Sequence, residues 1–349
     1  MRGEIRVPLR SGREPIGMLS SGGGRRSTAR AVLAGALLAA SLAGTGAAAG
    51  TAGAAGAGGA AADDGTPGPQ GKVTIVYDDR STKPEVRRAV EAIRKSRVLE
   101  QTADWVNRSI ALPHDMVVKV TDRVPPGVTD AVTQPDGRTI FIPPSFLTEI
   151  EQSFDDVVKT VKRPALFPED KYNPRDLTAL ATQFVFGHEM GHALQRQFML
   201  ANLGLEEDAA DGFASFHTVN EVGPDPSMAA AILFDEIARR QGQLTLEGFA
   251  SDHPATQQRV FNFLCYLDGS DPARFDGPLV GAGYLPKSRA PLCPQSWAML
   301  DHGWWTQLQP HFTEAFRAEG DEARADAQDR LVAETKAFAE KLDEYRKSQ

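Results

Sequence analysis

The chain has 349 residues, of which 41% are apolar and 24% charged, a globular balance that excludes a mostly disordered chain. Lys and Arg total 38 against 46 Asp and Glu. Residues 1–62 hold seven Arg and two Glu, which leaves 31 against 44, a net −13, for the rest. A body this acidic argues against nucleic acid or an anionic membrane as partner. Two cysteines are too few for a disulfide scaffold or a four-cysteine metal site.

The first expected element is an address rather than a fold. Arg25, Arg26 and Arg30 precede an apolar run at 31–44, and small residues follow at Ala47, Ala48 and Ala49. Basic, apolar and small-residue parts in that order make a secretory signal peptide. An uncleaved membrane anchor is the competing reading, but a span needs about 20 apolar residues and this run is shorter. Residues 1–49 are assigned as N-terminal extension and signal peptide, and the mature chain as secreted, without stable membrane insertion. Residues 50–70 are rich in Ala, Gly and Pro and hold no bulky apolar side chain, so they read as a linker. Folding is expected to start near Lys72, giving one domain over 71–349.

Alternation then predicts strands at Val73–Tyr77, 116–122 and 138–142, the last following the turn residues Pro135, Asp136 and Gly137. A helix is predicted over 83–109 from apolar residues at Val86, Val90, Ile93, Val98 and Val106. Beyond Pro144 helical signals dominate. Asn173 and Pro174 supply a cap and a first-turn proline for a helix to about Leu200. Further helices are predicted over 206–219, 227–241, 254–267 and 312–347, the last strongly charged. Strands first and helices afterwards make the fold α+β, a small N-terminal mixed sheet followed by a mainly helical part.

Inside the helix that follows Pro174 lies Gly187-His188-Glu189-Met190-Gly191-His192, an H-E-x-x-H motif. At about 3.6 residues per turn, His188 and His192 share a face and can reach one metal ion. Glu189 lies one residue further round, placed to act on a metal-bound water as general base without being a ligand. Neutral imidazoles suit zinc, which lowers the pKa of its water to about 7. A site with two histidines and one glutamate needs a carboxylate from elsewhere. Glu207 is assigned as that third ligand, with Glu206 and Asp208 as fallbacks. Asp211, four residues after Glu207 and on the same face, is assigned to orient a ligating imidazole. The pattern H-E-x-x-H-x-x-G-x-x-H is excluded, because Gln195 stands at its glycine and Phe198 at its third histidine.

HEMGH followed by EDAAD resembles the glutamate zincins. SDHPATQQRV (251–260) is similar to the His-Pro segment that follows the same motifs in the CAAX-prenyl-protease-like and heat-shock membrane proteases. The run from Phe184 through QQRVFNFLCYLDGSDP (257–272) to RAPLC (289–293) resembles more closely still a bacterial metallopeptidase family of unknown function, over roughly 73–310. The resemblance implies a zincin-like fold, with an edge strand above the metal cleft and the two motif helices below it. It implies one zinc per chain and a peptide or protein substrate. Unlike the membrane proteases, this chain has no series of spanning segments, so a lipidated substrate is not implied.

Two readings of His253 stand side by side. It is a candidate catalytic residue, donating to the oxyanion of the tetrahedral intermediate. Alternatively it caps, with Asp252, a helix whose first residue is Pro254. His217 lies off the face of Glu207 and Asp211 and is not expected to bind metal, and Trp304 and Trp305 are assigned to the core. In an exported chain, Cys265 and Cys293 are expected to form a disulfide. The function expected is a secreted zinc metallopeptidase; the alternative is a catalytically silent zinc-binding domain acting as a binding or structural module.

Overall fold

A computed structural model describes residues 70–317 apart from 79, 82, 161–172 and 252, together with 329, 332, 333 and 336. The leader, nearly all of the 50–70 linker, Asp252 and most of the 312–347 helix lie outside those residues. Gln70 is inside them, and its Nε2 donates to the carbonyls of Asn107 and Ile110 at 3.2 and 2.8 Å. The fold therefore takes hold two residues before the expected start at Lys72.

Four strands form one mixed sheet in the order β1-β2-β4-β3. They are β1 (Val73–Tyr77), β2 (Met116–Val120), β3 (Val132–Thr133) and β4 (Thr139–Ile142). Strands β1, β2 and β4 run parallel, and β3 pairs antiparallel with β4 at the edge. The period-two pattern sets the buried face. Met116, Val118, Val120, Ile140 and Ile142 are all buried, whereas Val117, Lys119, Thr139 and Phe141 on the other face are only partly covered. The β3–β4 turn needs a left-handed residue, and Gly137 supplies it at φ 68°.

The helices pack behind that sheet. They are α1 (Pro84–Ser96), α2 (Val98–Ser109), α3 (Pro144–Thr160), α4 (Pro174–Phe198), α5 (Glu206–His217), α6 (Asp225–Gln241), α7 (Leu246–Phe249), α8 (Thr256–Ser270), α9 (Pro272–Phe275) and α10 (Cys293–Leu308). Helix α4 opens as the sequence suggests. The Asn173 side chain accepts from the backbone of Arg175 and Asp176, and Asp176 returns a bond to the Asn173 N–H. Among the described residues, no helix is long and apolar enough to cross a membrane.

Two apolar clusters make the core, and α4 contributes to both. Phe186, Met190, Ala193 and Leu194 pack with the sheet and α2, while Leu177, Ala181 and Phe184 pack with α3, α6 and α8. Helices α4 and α5 touch closely because Gly191 lacks a side chain. A Cβ there would lie 2.9 Å from Ala210 Cα.

The structure corrects several expectations. The helix over 83–109 is two, broken at Arg97, which adopts φ 58° and ψ 19° so that α1 and α2 can pack in different directions. Strand β3 has only two residues, too few to show alternation. Helices α3 and α10 are absent from the expected elements; in α10 the buried stripe Cys293, Trp297, Trp304 and Leu308 is interrupted by the polar Asp301, while apolar Met299 lies exposed off it. Helix α8 begins at Thr256 rather than Pro254. The intervening Ala255 has ψ 132°, which is not helical, so Pro254 cannot be its first residue and His253 does not cap it. After His217, α5 passes into a π-helical turn over Thr218–Val222.

Candidate metal centre

Three side chains converge where α4 meets α5. The Nε2 atoms of His188 and His192 stand 3.2 Å apart. Glu207, from the first turn of α5, brings Oε2 to 3.2 Å from His188 Nε2 and Oε1 to 3.4 Å from His192 Nε2. The three donor atoms lie within 4.8 Å of one another. Both imidazoles are 7% exposed or less, so bulk water does little to screen them.

The Nδ1 atoms point outward to carboxylates. His188 Nδ1 meets Asp211 Oδ1 at 2.8 Å, and His192 Nδ1 meets Glu206 Oε1 at 2.8 Å. With Nδ1–H donating, each Nε2 turns a lone pair toward the other and toward a carboxylate. Two lone pairs and an anion facing one another in a buried pocket repel unless a cation lies between them. The residues fit a metal ion on that chemistry.

The electrostatics agree. Burial opposes a charge on His188, yet its hydrogen bonds to Asp211 and Glu207 outweigh it and raise the group to about 10, so that without a metal ion a proton takes the place of the cation. Glu207 is driven well below the carboxylate range: burial alone would raise it, and contacts with His188, His192 and His253 overcome that. Asp211 behaves likewise, lowered to about 2 against burial by the Arg259 charge and the His188 bond. The pocket is built to attract positive charge.

Around this centre the structure adds residues that the sequence did not reveal. Arg259, from α8, donates Nε to Asp211 Oδ2 and Nη2 to Asp211 Oδ1, each at 2.7 Å, while its guanidinium lies 4.4 Å from the Phe234 ring centroid. Its place six residues after His253, in the segment similar to the His-Pro proteases, was the signal available. Thr133, on the edge strand, puts its hydroxyl 2.7 Å from Glu189 Oε2 and 2.8 Å from the Glu189 carbonyl. Asp130 precedes that strand. Burial, with the Glu149 charge adding to it, pushes Asp130 up to about 6, and Glu189 and His253 are also within its electrostatic reach.

His253 Nε2 reaches Glu207 Oε2 at 2.8 Å, so the loop before α8 brings it to the same pocket. Asp208 is not among the three converging donors, and Glu206 is turned to His192 Nδ1 and Arg196. His217 is buried apart, its Nε2 3.1 Å from Thr102 Oγ1. Trp304 is buried against Phe213, as expected of core. Cys265 and Cys293 are joined by a disulfide that links α8 to the first residue of α10.

A family model described as "Putative metallopeptidase" (DUF4344) matches residues 77–308, from the end of β1 to the end of α10. The chain belongs to that family. Searches of curated proteins and of solved structures return no match.

Proposed function

We propose that this member of the metallopeptidase family hydrolyses peptide bonds outside the cytoplasm, using one zinc ion per chain held by His188, His192 and Glu207. The observation that carries the reading is the meeting of two imidazole Nε2 atoms and one carboxylate beside Glu189. A tetrahedral zinc with ligand bonds of about 2.0–2.1 Å has ligand atoms about 3.3–3.4 Å apart. The separations of 3.2, 3.2 and 3.4 Å match that spacing. Bound zinc supplies Lewis acidity, polarising the scissile carbonyl and lowering the pKa of a water to about 7.

The chain's own groups do the rest. Asp211 and Glu206 hold the two imidazoles in the tautomer that presents Nε2. Glu189 accepts the proton of the attacking water at its carboxylate and delivers it to the leaving amine. The Thr133 hydroxyl, donating to Glu189 Oε2, fixes the direction from which that carboxylate acts. His253 donates to the oxyanion as the carbonyl becomes tetrahedral, a role worth about 2.7–4 kcal/mol for a preorganised donor. The Cys265–Cys293 bridge supports an oxidising compartment. The acidic body supports a peptide or protein as partner rather than a nucleic acid.

Two variants test the reading. Glu189→Ala should abolish hydrolysis of a peptide library while keeping about one zinc per chain, since a base is not a ligand. Retained turnover would refute it, and a wild-type protein that binds zinc without cutting any peptide would be a silent zinc-binding module. Glu207→Ala should lose zinc on dialysis. Wild-type retention would move the third ligand to Glu206 or Asp208.

A further inference from the structure

Edge strand β3 has one free side, and little of it is open. Gln134 donates its N–H to Thr139 O within the ladder, and Thr133 lies opposite Ile140. Alternation therefore turns the Thr133 N–H and C=O outward. That outward carbonyl is already taken. Arg196 Nη1 donates to Thr133 O at 2.8 Å and to Gln134 O at 3.2 Å. Next comes Pro135, which has no N–H to offer.

The turn then docks on α4. Gln197 Nε2 donates to Gly137 O at 2.8 Å, and a Cβ on Gly137 would come within 2.8 Å of Ala193 O. Arg196 is anchored at its other side by Glu206, which also accepts from His192 Nδ1. Nε, Nη1 and Nη2 each have a protein partner, which holds the guanidinium in place as a stop. From Thr133 onward Arg196 bridges β3 and Glu206, the residue that precedes the candidate ligand Glu207. In the other direction, toward Asp130, no hydrogen bond occupies the backbone of Ala131 among the described residues.

An extended peptide adds to a sheet edge through alternating backbone groups, and its reach is set by how many of them are free. Among the described residues the free groups are the Thr133 N–H and those of Ala131, all on one side of Arg196. We infer that Arg196 and the β3–β4 turn close one end of the cleft, so that the protein takes peptides by a terminus and acts as an exopeptidase. The inference rests on the peptidase reading given above and narrows it.

The test uses the full-length, zinc-loaded protein and peptide hydroxamates, whose hydroxamate is a metal-binding group. Probes extended on one side, on the other side and on both are compared by fluorescence anisotropy. One single-sided probe should bind, and the two-sided probe should bind at least about tenfold more weakly, since its second arm meets the stop. Equal affinity for the two-sided probe, or no binding of any probe, overturns the inference. Linear peptides and their head-to-tail cyclic counterparts are incubated in parallel. Stepwise shortening from one end of linear peptides alone is expected, and internal cuts or cleaved circles also overturn it. A complete absence of cleavage would instead remove the peptidase reading, and the binding comparison would still decide whether the cleft is closed at one end.

Discussion

Arg259 holds both carboxylate oxygens of Asp211 at 2.7 Å, and one of those oxygens is also the partner of His188 Nδ1. Helix α8 thus supplies no donor to the converging three but fixes the plane in which His188 is presented. Arg259→Met should weaken zinc binding by about ten- to a hundredfold, the usual effect of losing a group that orients a ligand. It should also lower stability by about 3–5 kcal/mol, because Asp211 is left as a buried charge without its cation. Chelator competition on protein shown folded by circular dichroism reads the first effect and urea unfolding the second. Unchanged zinc affinity would remove Arg259 from this role.

Thr133→Val keeps the shape of the side chain and deletes the hydroxyl that meets Glu189. A hydrogen bond to a charged group is worth about 1.5–3 kcal/mol, so kcat should fall about ten- to a hundredfold with zinc content unchanged. Steady-state kinetics beside metal analysis separates this from a loss of the site. An unaltered kcat would mean that Glu189 is oriented without the edge strand.

Gly191→Ala asks whether the α4–α5 contact tolerates a methyl group. The new Cβ would sit 2.9 Å from Ala210 Cα and 3.0 Å from Phe213 Cβ, so a backbone must move. Overpacking of this kind costs about 1–3 kcal/mol and should outweigh the gain of about 1 kcal/mol in helix propensity. The urea midpoint should fall, and zinc should dissociate faster as Glu207 shifts on α5. A stabilised variant would show that the two helices are not in close contact.

His217 makes the fold sensitive to acid. Burial lowers its pKa from 6.5 to about 3, and its Nδ1 has no hydrogen-bond partner among the described residues. The unfolded chain therefore binds a proton that the folded chain refuses. Stability contributed by the neutral imidazole is fully present above about pH 6.5 and is lost progressively as the pH falls toward 3, by up to about 1.4 kcal/mol per unit. In His217→Phe the pH dependence of urea stability between 6.5 and 4.5 should be shallower by up to that amount. An identical profile would assign the acid sensitivity to other groups.

The Cys265–Cys293 bridge closes a loop across α9 to the start of α10. Replacing both cysteines by alanine should lower stability by about 3–4 kcal/mol, a typical return for a loop of this length. Protein purified without reductant should hold no free thiol. Two thiols titrated in the native protein purified without reductant would reject the bridge.

Much of this centre was legible because its information is local. Both imidazoles and Glu189 lie within five consecutive residues of one helix, and Glu207 and Asp211 lie within one turn of the next. Side chains so spaced share a face whatever the rest of the chain does. Arg259 and Thr133 were harder to find, since each reaches its partner across tens of residues; Arg259 is marked only by its place after His253, and Thr133 has no diagnostic neighbour. Among the elements, β1, β2 and β4 were read from period-two alternation. The break at Arg97 escaped because the polar run Arg94-Lys95-Ser96-Arg97 holds neither glycine nor proline. Helix α10 escaped because the polar Asp301 interrupts its buried stripe and the apolar Met299 sits exposed off that stripe, which blurs the periodicity.

Helix α4 is clad in apolar side chains on two opposite faces, one for each cluster of the core. Protein engineers seeking a minimal metalloenzyme would be drawn to the hairpin over 174–217, which carries His188, Glu189, His192 and Glu207. Cut from its surroundings, that hairpin would present Phe184 and Leu177 on one side and Phe186, Met190 and Leu194 on the other to water. Neither face has a cover of its own, so the fragment would clump before it could load a metal. The smallest portable unit is therefore the whole assembly of sheet and helices, and transplanting the active hairpin means redesigning both of its outer faces first.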